Sequence, residues 1–77
     1  MKHDLLDTVV LVRDIPRDGL RAGDLGTVVE IPTADKLDVE FVTASGRTTA
    51  LVTLGASDVR AIADTDLVAV RTIARSA

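Results

Sequence analysis

The stretch GLRAGDLGTVVEI, residues 19–31, places glycines at positions 19, 23 and 26 and runs straight into a valine pair. Two chemistries use glycines this close together: a loop that cradles a phosphate, and a tight turn that feeds a β-strand. A phosphate loop needs a lysine and a hydroxyl after its last glycine, then a helix whose N-terminus faces the anion. Here Gly26 is followed by Thr27, Val28 and Val29, and the segment reads as strand throughout. The spacing also misses the dinucleotide-binding fingerprint. The glycines are therefore assigned to the backbone: Gly23 supplies a positive φ in the turn, and Gly26 permits close backbone approach where the strand begins.

Working outward from that turn, period-2 patterning recurs and turn residues punctuate it. Strands are expected at residues 8–13, 26–31, 37–43, 48–54, 59–62 and 66–73. In the second, Thr27, Val29 and Ile31 share one face and Val28 and Glu30 the other. In the third, Leu37, Val39 and Phe41 point inward and Asp38, Glu40 and Val42 outward. In the fourth, Ala50, Val52 and Leu54 face the core. DIPRDGLRAGDL forms one long turn-rich loop after the first strand, PTADK and ASGR form hairpin turns, and Ser57 caps a single helical turn before the fifth strand. ARSA at the end is a frayed tail. The fold class is all-β: a small, partly open barrel of the SH3-like kind with five to six short strands, in which closure hides sheet edges.

Composition narrows the function classes. Seventy-seven residues make a single domain (1–77) with a thin stability margin. Val, Leu, Ile and Ala supply nearly all of the 47% hydrophobic content, and Phe41 is the sole aromatic residue. No cysteine is present, which suits a reducing cytoplasm. The opening MKHDLLD has no apolar core of the kind a signal peptide needs, and the longest apolar run, Val9 to Val12, is too short to span a bilayer. The net charge of −3 disfavours nucleic acid as a partner.

No catalytic constellation emerges. His3 is the only histidine and is expected in a solvated terminus. Ser45, Ser57 and Ser76 have no evident base, which a nucleophilic serine requires. The carboxylate pairs Asp4/Asp7 and Asp64/Asp66 are too few for an oxygen-ligand cation site, which needs about six donors. No catalytic residue, cofactor or metal ligand is therefore assigned. Arg13, Arg17 and Arg21 line the first strand end and the long loop, a region that SH3-like modules use for partners, but Asp14, Asp18 and Asp24 blunt their field. Single-strand recognition and proline-rich peptide recognition both rely on aromatics that this chain lacks.

The unabsorbed feature is Val28, Val42 and Leu51. In the faces assigned above, all three point away from the core on consecutive strands and would form an apolar patch. The patch is covered by the sixth strand, which is apolar on both sides, or by a partner protein: a second copy of the chain or the product of a neighbouring gene. Val28, Val42, Leu51, Arg17 and Arg21 are the candidate interaction residues.

Taken together, LLDTVVLVRDIP, GLRAGDLGTVVEI, VEFVTASGRTTALVTL, DVR and the closing VAVR resemble the small bacterial proteins grouped as Domain of Unknown Function 4926. The resemblance runs from about Leu5 to Ile73 and implies the fold and a bacterial origin. It carries over no catalytic residue. AGDLGTVV is also similar to turn–strand elements of nitrile hydratase β-subunits and ribosomal KOW modules, both SH3-like. The expected function is that of a non-enzymatic protein-interaction module, with a KOW-like nucleic-acid module as the alternative and a small-ligand or metal-binding domain behind it.

Overall fold

A computed structural model describes residues 3–73. Five antiparallel strands follow one another along the chain: β1 (Thr8–Leu11), β2 (Leu25–Thr33), β3 (Lys36–Val42), β4 (Thr48–Gly55) and β5 (Val59–Ala61). They form one sheet in the order β4-β3-β2-β1-β5. Its two outer strands, β4 and β5, are not hydrogen-bonded to each other, so the sheet is not closed into a barrel by hydrogen bonds. Among the described residues no helix is long and apolar enough to cross a membrane.

The glycines of the opening stretch behave as their chemistry requires. Gly23 sits at φ +97°, and its N–H donates to the Leu11 carbonyl at 2.7 Å, drawing the loop back onto β1. Gly26 lies opposite Val9, and a Cβ there would come within 2.5 Å of Val39 Cγ1 and 2.9 Å of Phe41 Cε2. The third strand's side chain thus occupies the space that any other residue would fill at position 26.

β2 departs from the expected alternation. Val28 is fully buried, opposite Val39, and belongs to the core. The register shifts between Val28, opposite Val39, and Glu30, opposite Asp38, so that two steps on β2 match one on β3. This bulge at Val29 lets Val28 and Ile31 both lean on the core while Glu30 stays outside. Val28 is consequently no part of an outer patch. On β3 and β4 the expected faces hold: Leu37, Val39, Phe41, Val52 and Leu54 are buried, and Val42 and Leu51 are exposed.

The long loop is more ordered than its turn residues suggest. Ile15 and Leu20 exchange two backbone hydrogen bonds, 2.9 and 3.1 Å, around a 3-10 turn at Pro16–Asp18. Both side chains are buried in the main core. The second 3-10 turn, Ala56–Asp58, is closed by Asp58, whose Oδ2 accepts the Gly55 N–H at 2.9 Å, and not by Ser57. His3 is buried at 4% exposure, with Nδ1 lacking a hydrogen-bond partner, where a solvated residue was expected.

No sixth strand forms among the described residues. A turn at Ala63–Asp66 follows β5; Asp66 accepts the Ala63 N–H at 2.7 Å, and its own N–H donates to the Ala63 carbonyl at 3.1 Å. Arg60 on β5 grips the same carboxylate with both Nη atoms at 2.8 Å. That fork steers the chain across the face of the sheet instead of along an edge. Residues 67–73 run on without strand pairing. The ARSA tail lies outside the described residues.

Candidate interaction surface

β1 is buried on both sides. Val9 and Leu11 enter the main core, whereas Val10, only 6% exposed, lies outside that cluster on the opposite face. Its ladder partners on that face are Leu25 of β2 and Arg60 of β5. The β2–β3 register, with Thr27 opposite Glu40, carries the row on from Leu25 to Val42. An apolar row, Val10–Leu25–Val42, thus crosses the outer face.

Residues 62–73 pass over this row and form the second wall of a groove of about 790 Å³. Ile62, Leu67, Val68 and Ile73 line it from the strap side. The expected second core does not form: an irregular strap screens Val10, the one buried residue of this row, and the strap's own apolar side chains at 67, 68 and 70 stay exposed. Covering is incomplete. Val42 remains 52% exposed, and Leu67 and Val70 are 97% and 96% exposed.

Two ion pairs pin the strap. At its start is the Arg60–Asp66 fork. At its end the Arg71 guanidinium spans the Asp24 carboxylate, with Nε to Oδ1 at 2.8 Å and Nη2 to Oδ2 at 2.5 Å, and Nη2 also donates to the Gly19 carbonyl at 2.9 Å. The hydrogen bonds from Arg60, then from the Ala63 N–H, hold the Asp66 carboxyl down at about 2. The Arg71 hydrogen bond likewise holds Asp24 below the ordinary carboxylate range. Asp58 is lowered chiefly by its hydrogen bond from Arg13, which joins the end of β1 to the second 3-10 turn at 2.9 Å.

These pairings revise the expected charge pattern. Asp24 is committed to Arg71, 47 residues away, and Arg13 to Asp58 rather than to Asp14. Arg17 is open to solvent with only Asp18 near, at 3.8 Å. Arg21 lines an adjoining depression of about 860 Å³ with Arg47, Asp14 and Asp18, and Arg71 borders both this depression and the groove. Neither Arg17 nor Arg21 lines the apolar groove itself. Of the three residues expected in the patch, Val42 lines the groove, Leu51 stands exposed on β4, and Val28 is in the core. Val10 and Leu25 also belong to the site; the apolar run Val9–Val12 conceals the first and the turn-rich loop before Gly26 the second. Among the described residues no cluster of three or more His, Asp or Glu side chains could hold a metal ion.

The family model described as Domain of unknown function (DUF4926) matches residues 5–61, and the chain belongs to that family. Comparison with curated proteins and with solved structures finds no match. The family segment ends with the last residue of β5, so the strap lies beyond it.

Proposed function

We propose that this chain is a non-enzymatic, cytoplasmic protein-interaction module built on an SH3-like, partly open barrel. The observation that carries the reading is the groove between the Val10–Leu25–Val42 row and the strap, with Leu67 and Val70 left almost wholly exposed above it. Burying such a side chain contributes roughly 1.5–3 kcal/mol, so a partner that covers Leu67, Val70 and Val42 gains from contacts the chain does not make with itself. The partner is a protein: a second copy or the product of a neighbouring gene. Phosphate binding is disfavoured because Arg13, Arg60 and Arg71 are each engaged by a carboxylate and because base stacking has only the buried Phe41 to use.

The test is a titration of the isotope-labelled chain with the neighbouring gene's product, followed residue by residue. Shifts centred on Val42, Leu67 and Val70, weakened by Leu67→Asp with Val70→Asp, are expected. A tight complex with mixed oligonucleotides whose affinity falls steeply with salt would instead favour the KOW-like reading, since that slope counts phosphate contacts.

A further inference from the structure

The two edges of the sheet differ in protection. β5 is three residues long, and Arg60 with its Asp66 partner folds the following chain away from it. Short strands and charged side chains are the ordinary means by which proteins prevent edge-to-edge pairing. β4 has neither device. Its sequence, TTALVTLG, carries no charge and no proline. Its one irregularity lies at the Thr48 end, between the pairs Phe41–Ala50 and Val42–Thr48, so Ala50–Gly55 runs as a regular ladder against β3. Leu51 stands 63% exposed in the middle of that edge. The neighbouring carboxylates on β3 are tied to the strand's own hydroxyls: Thr48 Oγ1 donates to Glu40 and Thr53 Oγ1 to Asp38, each at 2.6 Å.

From this edge we infer that β4 pairs antiparallel with β4 of a second copy, about a two-fold axis at Val52. The inference goes beyond the groove and concerns a second surface, since Leu51 and Val52 do not line that groove. A second copy fits because the run sets no charge against itself and, about Val52, places small side chains opposite large ones. Val52 meets Val52, Ala50 meets the larger Leu54, and Leu51 meets Thr53, so core-facing residues stay on one face and outer residues on the other. Both Leu51 side chains become diagonal neighbours across the axis, within contact range for long side chains. Charge does not oppose the pairing. The nearest carboxylates, Asp38 and Glu40 on each β3, would be three strand spacings apart, about 14 Å, beyond the roughly 8 Å over which exposed charges act at physiological salt.

Sedimentation equilibrium of the purified chain, with and without Leu51→Lys, tests the pairing. The expected result is a concentration-dependent dimer whose dissociation constant rises at least about tenfold in Leu51→Lys, as two like charges meet near the axis, while the circular dichroism of the dilute chain is unchanged. As a second arm, Leu51→Cys chains mixed with Thr53→Cys chains should form the mixed disulfide faster than either forms its own, because only the mixed pair is directly opposed. A chain monomeric up to about 1 mM, a dimer indifferent to Leu51→Lys, or no preference for the mixed disulfide overturns the inference. None of these outcomes moves the groove-centred titration, which decides the interaction reading by itself.

Discussion

Between Thr8 and Ala61 every strand has a hydrogen-bonded neighbour, and eleven buried side chains from Val9 to Val59 close on one core. Between Ile62 and Ile73 the backbone joins no ladder, and two arginine–carboxylate pairs hold the segment. Both regions are rich in valine and leucine. What separates them is where the apolar side chains go: Val9, Val28, Leu37 and Val39 are fully buried, whereas Leu67 and Val70 are almost fully exposed. Hydrophobic composition alone therefore does not make a strand. A segment needs partners for its backbone and a face to bury.

The contrast can be broken first from the sheet side. Leu37 has no exposed surface, so Leu37→Ala should cost about 2–5 kcal/mol, much of the stability available to so small a domain. A chemical-denaturation midpoint within error of the parent would contradict the assigned core. Ending the chain at Ala61 tests whether the strap screens Val10. Exposing Val10 should cost roughly 1.5–3 kcal/mol and promote aggregation while leaving the five-stranded sheet recognisable by circular dichroism; unchanged stability would mean that the strap covers nothing. Gly23→Val isolates a backbone effect, because a Cβ at Gly23 meets no atom within 4 Å but φ is +97°. Strain there should cost about 1–3 kcal/mol, measured as a lower urea midpoint; no change would remove the turn assignment.

Smaller effects belong to the ion pairs. Arg71→Ala should cost about 1 kcal/mol, the upper end for a surface ion pair, because the Arg71 and Asp24 side chains are only 30% and 18% exposed, and should loosen residues 67–73 as read by amide relaxation. Acid acts on the same contacts. Asp24, Asp58 and Asp66 are all held below the usual carboxylate value. Their stabilisation is thus complete above the unfolded-state value of about 4 and is lost as pH falls through the folded-state value, about 2 for Asp66. A stability profile flat from pH 4 to 2, or one that rises toward acid, would contradict the pairings.

Much of the fold was legible in the residue pattern. Five expected strands lie within two residues of those observed, because alternation and turn residues agreed along each. Val28 was assigned the wrong face for a local reason: two adjacent valines carry no face information, and the bulge at Val29 resets the alternation. The signal that resolves it is Gly26. A glycine required by close approach of Val39 and Phe41 marks the core face, and Val28 stands two residues further along the same face. Ile15 and Leu20 are concealed in a loop whose single proline, glycines and charges suggest only turns. The strap reads as a strand because apolar residues fall on both of its faces, a pattern that suits a sandwiched strand, whereas residues 67–70 are exposed. No local spacing announces the Arg71–Asp24 clasp, which joins positions 47 residues apart. The groove was accordingly less legible than the sheet, since it is built from the far end of the chain.

Native-state hydrogen exchange at single-residue resolution tests the division between sheet and strap most directly. The amides of β2 and β3 should exchange only on global unfolding, and those of Leu67–Ile73 nearly as fast as an unstructured peptide, since strand hydrogen bonds protect the former and none protects the latter. Protection at residues 67–73 equal to that of β3 would contradict the account, because it would mean that the segment is a sixth strand of the sheet after all.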